Sequence, residues 1–220
     1  MGGGSVARRV TVAAAVLAVG APAAALAAGA PVSARAQRAL LGLSALPAGW
    51  SASPGGEADL SVAVGARQIA ACTGVRPSAV AADPPRATTP EFDQAGGALA
   101  VDEEVQVYPS PAAARTAFGV MDSPRAPACA AAYLDAGVTS AAQGAYSATR
   151  LDLPVAGQRS CALLFSVSPT GHGAAATVDV DDVVIEDGPT VATLALTALG
   201  APFPSTLATT LATAAARRIR

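Results

Sequence analysis

The only histidine of the chain, His172, is the first side chain to consider for acid–base or nucleophilic chemistry, because imidazole titrates near neutral pH. It lies between Gly171 and Gly173 in a predicted hairpin turn. A general base needs a rigid, partly buried position, and the sequence contains no Gly-x-Ser-x-Gly motif that His172 could serve. We therefore predict that His172 is a solvent-facing turn residue and that the chain has no catalytic residues.

Five carboxylates close together in one predicted strand could in principle bind a cation. They are Asp179, Asp181, Asp182, Glu186 and Asp187. Their spacing is not that of a calcium loop, and the alternation of a strand divides them between its two faces. We predict instead a solvated strand that resists edge pairing. The sequence contains no CxxC pair, no His/Cys cluster and no phosphate-binding glycine loop, so we expect neither a metal nor a cofactor.

The stretch from Ala98 to Tyr133 has the clearest structural pattern and predicts a strand followed by a helix. Apolar and polar residues alternate from Leu99 to Tyr108, which is typical of a half-buried strand, and Glu103 interrupts the apolar face once. Ser110-Pro111 predicts the start of the helix and Asp122-Ser123-Pro124 predicts its end. The predicted apolar stripe of this helix consists of Ala114, Ala117, Phe118 and Met121.

The second half of the chain predicts consecutive antiparallel strands and a final helix. Strands are predicted around 151–155, 161–167 and 178–185, with a bulge at Asp181-Asp182, and Asp187-Gly188 predicts a hairpin. The run 191–199 fits a strand or a helix, and the hairpin favours the strand. A ridge of Leu207, Leu211, Ala215 and Ile219 predicts a final helix, with Arg217, Arg218 and Arg220 at the end where positive charge suits the helix dipole. The predicted fold class is α+β, an antiparallel meander sheet with helices packed on it.

The first half is less regular. Leu60, Val62 and Val64 predict a short strand, and the proline-rich run 77–94 is interpreted as a long surface connection.

Residues 1–34 are predicted to be a signal peptide, with an uncleaved membrane anchor as the alternative. Arg8 and Arg9 precede an uncharged apolar run from Val10 to Ala28, and small residues follow at positions compatible with cleavage. The remainder, 35–220, is predicted to be a single domain. The protein is therefore expected to be secreted or to reside in the cell envelope, touching a membrane only through an uncleaved N-terminal segment.

Composition narrows the class of protein further. The formal net charge is −2 and all 14 basic residues are arginine, so the chain lacks the basic surface that nucleic-acid binding requires. The absence of lysine, together with abundant Ala, Gly and Pro, indicates a GC-rich bacterial genome. Aromatic residues make up 4% of the chain, which predicts a core built from Val, Leu and Ala. We expect a monomer.

A series of short motifs occurs in a fixed order along the chain. The motifs are Leu46-Pro47-Ala48-Gly49-Trp50, Cys72-Thr73-Gly74-Val75, the strand Val101–Tyr108, the run Ser110–Phe118, Cys129, Arg159-Ser160-Cys161-Ala162-Leu163 and the last helix. This series resembles the extracellular sensor domain of PknH-like mycobacterial receptor kinases and related secreted or lipid-anchored actinobacterial proteins. The resemblance implies an α+β domain with a cleft, a sensing or binding role and no enzymatic activity. The chain departs from the family in having Ala126 where a tryptophan is usual and in lacking a fourth cysteine within 177–182.

Three cysteines, Cys72, Cys129 and Cys161, leave one without a partner. Cys161 shares the apolar face of its predicted strand and can pack there as a small hydrophobic side chain. Cys72 and Cys129 are predicted to lie in irregular segments, and the resemblance points to the same pair, because the cysteine that this chain lacks is the usual partner of Cys161. We predict a Cys72–Cys129 disulfide; the Cys129–Cys161 pairing stays open as the alternative.

Two functions follow from these observations. The first is a non-catalytic binding or sensor-like module of the cell envelope, whose partner is an unidentified small molecule or envelope component and whose ligand-binding residues are unknown. The second is an exported hydrolase or enzyme accessory protein. A cleft without titratable groups would favour the first function, and a serine or aspartate beside a base inside the cleft would favour the second.

Overall fold

The computed structural model describes residues 30–53, 68–76, 80, 84–94, 96–137, 144–169 and 176–220. Three sequence predictions lie outside these residues: the apolar N-terminal run, the short strand 60–64 and the turn that contains His172. The helices are α1 (Ala30–Ala39), α2 (Pro111–Asp122), α3 (Ala126–Gly137) and α4 (Ser205–Arg218), with a 3₁₀ turn at Leu43–Ala45 and helical residues at 68–73.

Eight strands form one antiparallel sheet within the described part of the chain. They are β1 (Trp50–Ser53), β2 (Arg86–Thr88), β3 (Glu91–Gln94), β4 (Leu99–Val107), β5 (Gly144–Leu151), β6 (Arg159–Pro169), β7 (Val178–Asp187) and β8 (Thr190–Leu199). The order is β1-β3-β4-β8-β7-β6-β5, and β2 pairs with β4 beside β3. The predicted α+β class with a meander sheet is confirmed, the meander being β5 to β8. The strand predicted around 151–155 is wrong in its position, because β5 ends at Leu151 and the alternating residues after it lie outside the sheet.

Helices cover both faces of the sheet, and each face has its own apolar core. On one face, α1 and α4 pack against side chains such as Val105, Leu194 and Ile185. On the other face, α2 and α3 pack against side chains such as Leu163, Val180 and Val184. The central strands are therefore buried on both sides, which is why β8 carries the nearly continuous apolar sequence that also fitted a helix.

The predicted bulge at Asp181-Asp182 is wrong. Strand β7 pairs residue by residue with β8 from Val178 opposite Leu199 to Asp187 opposite Thr190. Because both faces are covered, Val180 and Val183 do not need to share a face, and each is buried in a different core. The hairpin prediction is confirmed: Gly188 adopts φ +59° in the two-residue turn between β7 and β8.

The interpretation of 77–94 as a structureless connection is also wrong, since β2 and β3 lie within it. Both strands pair with β4, and their buried side chains Ala87 and Phe92 join the core beneath α1. Three- and four-residue strands carry too few residues for an alternation to be recognised in the sequence. They form because β4 offers them an edge with free backbone groups.

The predicted helix after β4 is confirmed at both ends. The Ser110 side chain accepts a hydrogen bond from the Ala113 amide at 3.2 Å, and Pro111 occupies the first turn. The helix ends at Asp122, with Ser123 non-helical before Pro124. All four residues of the predicted stripe are buried against the sheet. The last helix is likewise confirmed, with Leu211, Ala215 and Ile219 buried.

Candidate functional site

A groove of about 290 Å³ opens at the end of the sheet where α1 and α4 finish. Four arginines line it, two from each helix end, together with Thr190 at the start of β8. The full lining is Arg35, Arg38, Ala39, Thr190, Arg218, Ile219 and Arg220. We call this feature the arginine groove. The buried residues Ala36 and Ile219 anchor the two chain segments to the sheet core, so the arginines are held by packed helices.

The arginine groove carries an excess of positive charge. Arg220 forms an ion pair with Asp187, with 3.9 Å between Nε and Oδ2. Among the described residues, no carboxylate oxygen lies within 4 Å of the guanidinium groups of Arg35, Arg38 or Arg218. Arg218 donates a long hydrogen bond of 3.5 Å to the carbonyl oxygen of Arg38, which joins the two helix ends. The groove is therefore basic in a protein whose formal net charge is −2.

Thr190 is the neutral polar residue of the lining. The residue is 1% exposed, and its hydroxyl has no hydrogen-bond partner within the described part of the structure. A buried hydroxyl without a partner costs about 1–3 kcal/mol. Thr190 thus leaves an unused hydrogen-bonding group at the wall of a basic groove.

Glu103, the residue that interrupts the apolar face of β4, is buried beneath α1 with 2% of its surface exposed. Its Oε2 accepts a hydrogen bond from the Leu41 amide, which fixes the chain just after α1. Burial raises the pKa of Glu103 to about 7, although the Leu41 hydrogen bond and the charge of Arg218 oppose the rise. The Oε1 atom has no hydrogen-bond partner among the described residues. Glu103 is thus a buried acid that supports α1.

The five clustered acids do not form one site. Along β7, Asp179, Asp181 and Asp187 alternate with Asp182 and Glu186, so the two groups face opposite helix layers, as the alternation predicted. The interpretation of β7 as a solvated, edge-protecting strand is wrong, because β7 is central and Asp181, Asp182 and Glu186 are buried. Within the described residues, no group of three or more acidic, histidine or cysteine side chains could hold a metal ion.

Two of these buried acids have raised pKa values. Burial raises the pKa of Asp182 well above its ordinary value, and the neighbouring charge of Asp181 adds to the rise. Burial also raises the pKa of Asp181 to about 6, and the neighbouring charge of Asp179 adds to this rise. Neither carboxylate oxygen of Asp182 has a hydrogen-bond partner in the part of the chain that is described.

The structure joins Cys72 to Cys129, with 5.8 Å between their Cα atoms, and leaves Cys161 buried and unpaired. The prediction that both paired cysteines lie in irregular segments is wrong: Cys72 belongs to the helical residues 68–73 and Cys129 to α3. Pro127 does not prevent α3, because the first turn of a helix needs no amide donor. Burial raises the pKa of the Cys161 thiol to about 12, so this thiol stays protonated at neutral pH.

The arginine groove is the feature that sequence reasoning missed. Arg35 and Arg38 stand just after the predicted cleavage positions, and Arg218 and Arg220 were interpreted only as charges suited to a helix dipole. The chain separation of the two pairs is too large for a motif. The signal that could have drawn attention to them is the concentration of three arginines at 217–220 in a chain with a negative net charge.

No protein-family model matches this chain, and no curated protein matches it either. Among solved structures, one match is the extracellular domain of PknH from Mycobacterium tuberculosis. The TM-score is 0.35 with 11% sequence identity, covering 59% of this chain and 61% of that chain. The chain is therefore distantly similar in structure to that domain and spans about three fifths of its length. Membership of its family stays a prediction.

None of the helices in the described residues is long and apolar enough to cross a membrane.

Proposed function

We propose that the protein is an extracytoplasmic binding module whose ligand site is the arginine groove and that it has no catalytic activity. The observation that carries the proposal is the composition of the groove lining. Arginine, threonine, alanine and isoleucine side chains offer hydrogen-bond donors and apolar contacts, but none of these residue types is among the usual general bases of enzymes. Such a lining can bind a ligand without supplying the general base that hydrolysis requires.

A disulfide supports an extracytoplasmic location, because such bonds persist in oxidising compartments. We expect the mature chain to begin between Ala28 and Arg35, so every expected product retains both Arg35 and Arg38. Amino-terminal sequencing of secreted protein tests this expectation. Recovery of a chain that begins at Met1 from the membrane fraction would instead support the anchored alternative.

Native mass spectrometry of protein purified from its own envelope extract tests the binding function. A retained ligand should appear as a discrete mass increment that disappears when the protein is unfolded. We expect a monomer that carries one small molecule or envelope component and no nucleic acid. Conversion of a candidate ligand by the purified protein, at a rate proportional to protein concentration, would contradict the proposal.

The alternative, an exported hydrolase, requires a base outside the arginine groove. His172 is the only histidine that could serve, and its position between two glycines favours a turn without catalytic function. We expect His172→Ala to leave unchanged any activity that is found, measured as kcat/KM. A loss of about a thousandfold, as expected when a general base is removed, would make the hydrolase the better description of this protein.

A further inference from the structure

We propose that the arginine groove binds a diphosphate group carried by a small molecule. The inference rests on the proposed binding function and specifies the chemical class of its ligand. Three observations support it: the arginines of the groove that form no ion pair, the unpartnered hydroxyl of Thr190 and the volume of the groove.

The charge of the groove exceeds what the fold requires. Positive charge near a helix C-terminus is favourable, and this accounts for Arg38 in the last turn of α1 and Arg218 in the last turn of α4. It does not account for Arg35, which lies one turn earlier on α1. Arg220 already has a partner in Asp187. Arg35 and Arg38 therefore have no carboxylate oxygen within 4 Å among the described residues, and neither does Arg218, although its charge also acts on the buried Glu103.

The chemistry of these groups selects a phosphorylated ligand. The planar guanidinium group binds phosphate oxygens through two parallel hydrogen bonds, which suits it to phosphate recognition. One carboxylate would compensate only one of these arginines. A phosphate monoester carries about two negative charges at neutral pH, and a diphosphate carries more, so the diphosphate matches the groove most closely.

Thr190 gives the groove a neutral donor in addition to its cations. Thr190 lines the groove, and its buried hydroxyl has no hydrogen-bond partner within the described part of the chain. A phosphate oxygen would accept a hydrogen bond from this hydroxyl.

The volume indicates a ligand larger than one inorganic phosphate. The groove measures about 290 Å³. Small-molecule sites begin at about 300 Å³. The groove therefore has room for a diphosphate and part of the molecule that carries it.

Isothermal titration calorimetry of the full protein with inorganic pyrophosphate, inorganic phosphate and acetate, at matched ionic strength and without divalent metal, tests the proposal. We expect pyrophosphate to bind with a stoichiometry of one and about tenfold more tightly than phosphate, because it adds charge-assisted hydrogen bonds. Acetate should bind more weakly than either. Equal affinities for the three anions, or no binding of pyrophosphate, would overturn the proposal.

Arginine variants distinguish specific binding in the groove from general attraction of pyrophosphate to positive charge. Arg35→Gln and Arg38→Gln should each weaken pyrophosphate binding about tenfold. Arg217→Gln is the matched control, since Arg217 is an exposed arginine of the same α4 terminus that does not line the groove. Its affinity should remain that of the wild type. A loss in Arg217→Gln equal to that in Arg38→Gln would overturn the proposal.

Thr190→Val separates an effect on ligand binding from an effect on protein stability. Valine has nearly the same shape and removes a hydroxyl that has no partner, so the thermal midpoint should not fall. Pyrophosphate binding should nevertheless weaken about tenfold. Unchanged binding in this variant would contradict the proposal, because the Thr190 hydroxyl is one of the observations that support it. Should native mass spectrometry reveal a retained ligand without phosphate, whose binding Arg38→Gln nevertheless weakens, the binding function of the groove would stand and the diphosphate assignment would fail.

Discussion

The double variant Cys72→Ser, Cys129→Ser should have an unfolding free energy about 4 kcal/mol lower than that of the wild type. The disulfide closes a loop of 57 residues, and a crosslink over such a loop removes chain entropy from the unfolded state worth about 4 kcal/mol. Native packing depends on the same link, because it joins the helical residues 68–73 to α3. Ile69 and Ala70 beside Cys72, and Ala130 beside Cys129, are buried in one core.

Guanidinium denaturation with and without reductant measures this effect. Reductant should lower the unfolding free energy of the wild type to that of the double variant and leave the double variant unchanged. Cys161→Ala is the control: it removes the buried free thiol, and the variant should remain sensitive to reductant. A wild type indifferent to reductant, or a non-reduced peptide that joins Cys161 to either other cysteine, would contradict the pairing.

The second large effect is a loss of stability as the pH rises, caused by the buried Glu103. Burial raises its pKa from 4.5 to about 7 in the folded protein, whereas the unfolded chain has the ordinary value. Between these two pH values the folded protein binds more protons than the unfolded chain, so the unfolding free energy falls as the pH rises. The stabilisation is complete below pH 4.5 and is lost as the pH passes through 7. This difference between the folded and unfolded pKa values corresponds to about 3 kcal/mol of unfolding free energy.

Glu103→Gln isolates this contribution. The amide oxygen can still accept the hydrogen bond from Leu41, but the side chain no longer ionises. Urea denaturation should find the variant about 3 kcal/mol more stable than the wild type at pH 8 and similar to it at pH 4. Asp102, Asp181 and Asp182, whose pKa values burial also raises, should preserve a residual acid stabilisation in the variant. The same stability difference at both pH values would rule out ionisation of Glu103 as the cause.

Local sequence determined the helix ends and the hairpin turn, because capping and turn residues act over only a few positions. Ser110-Pro111 and Ser123-Pro124 set the two ends of α2 through capping and through the backbone restrictions of proline. The Asp187-Gly188 turn determined the β7–β8 hairpin, since glycine readily adopts the required positive φ. The alternation in β4 and the ridge in α4 marked their buried faces. These patterns were sufficient for the α+β class and the meander.

Tertiary structure alone decided which faces were covered and which distant residues came together. The alternation in β4 suggested a half-buried strand, yet helices cover both faces, so Glu103 and Glu104 are both buried. Strands β2 and β3 exist because β4 provides an edge for them. The arginine groove depends on α1 and α4 ending at the same end of the sheet, although Arg38 and Arg218 are separated by 180 residues. Local propensity contains no information about such a separation, because only the packing of both helices on one sheet face brings these side chains together.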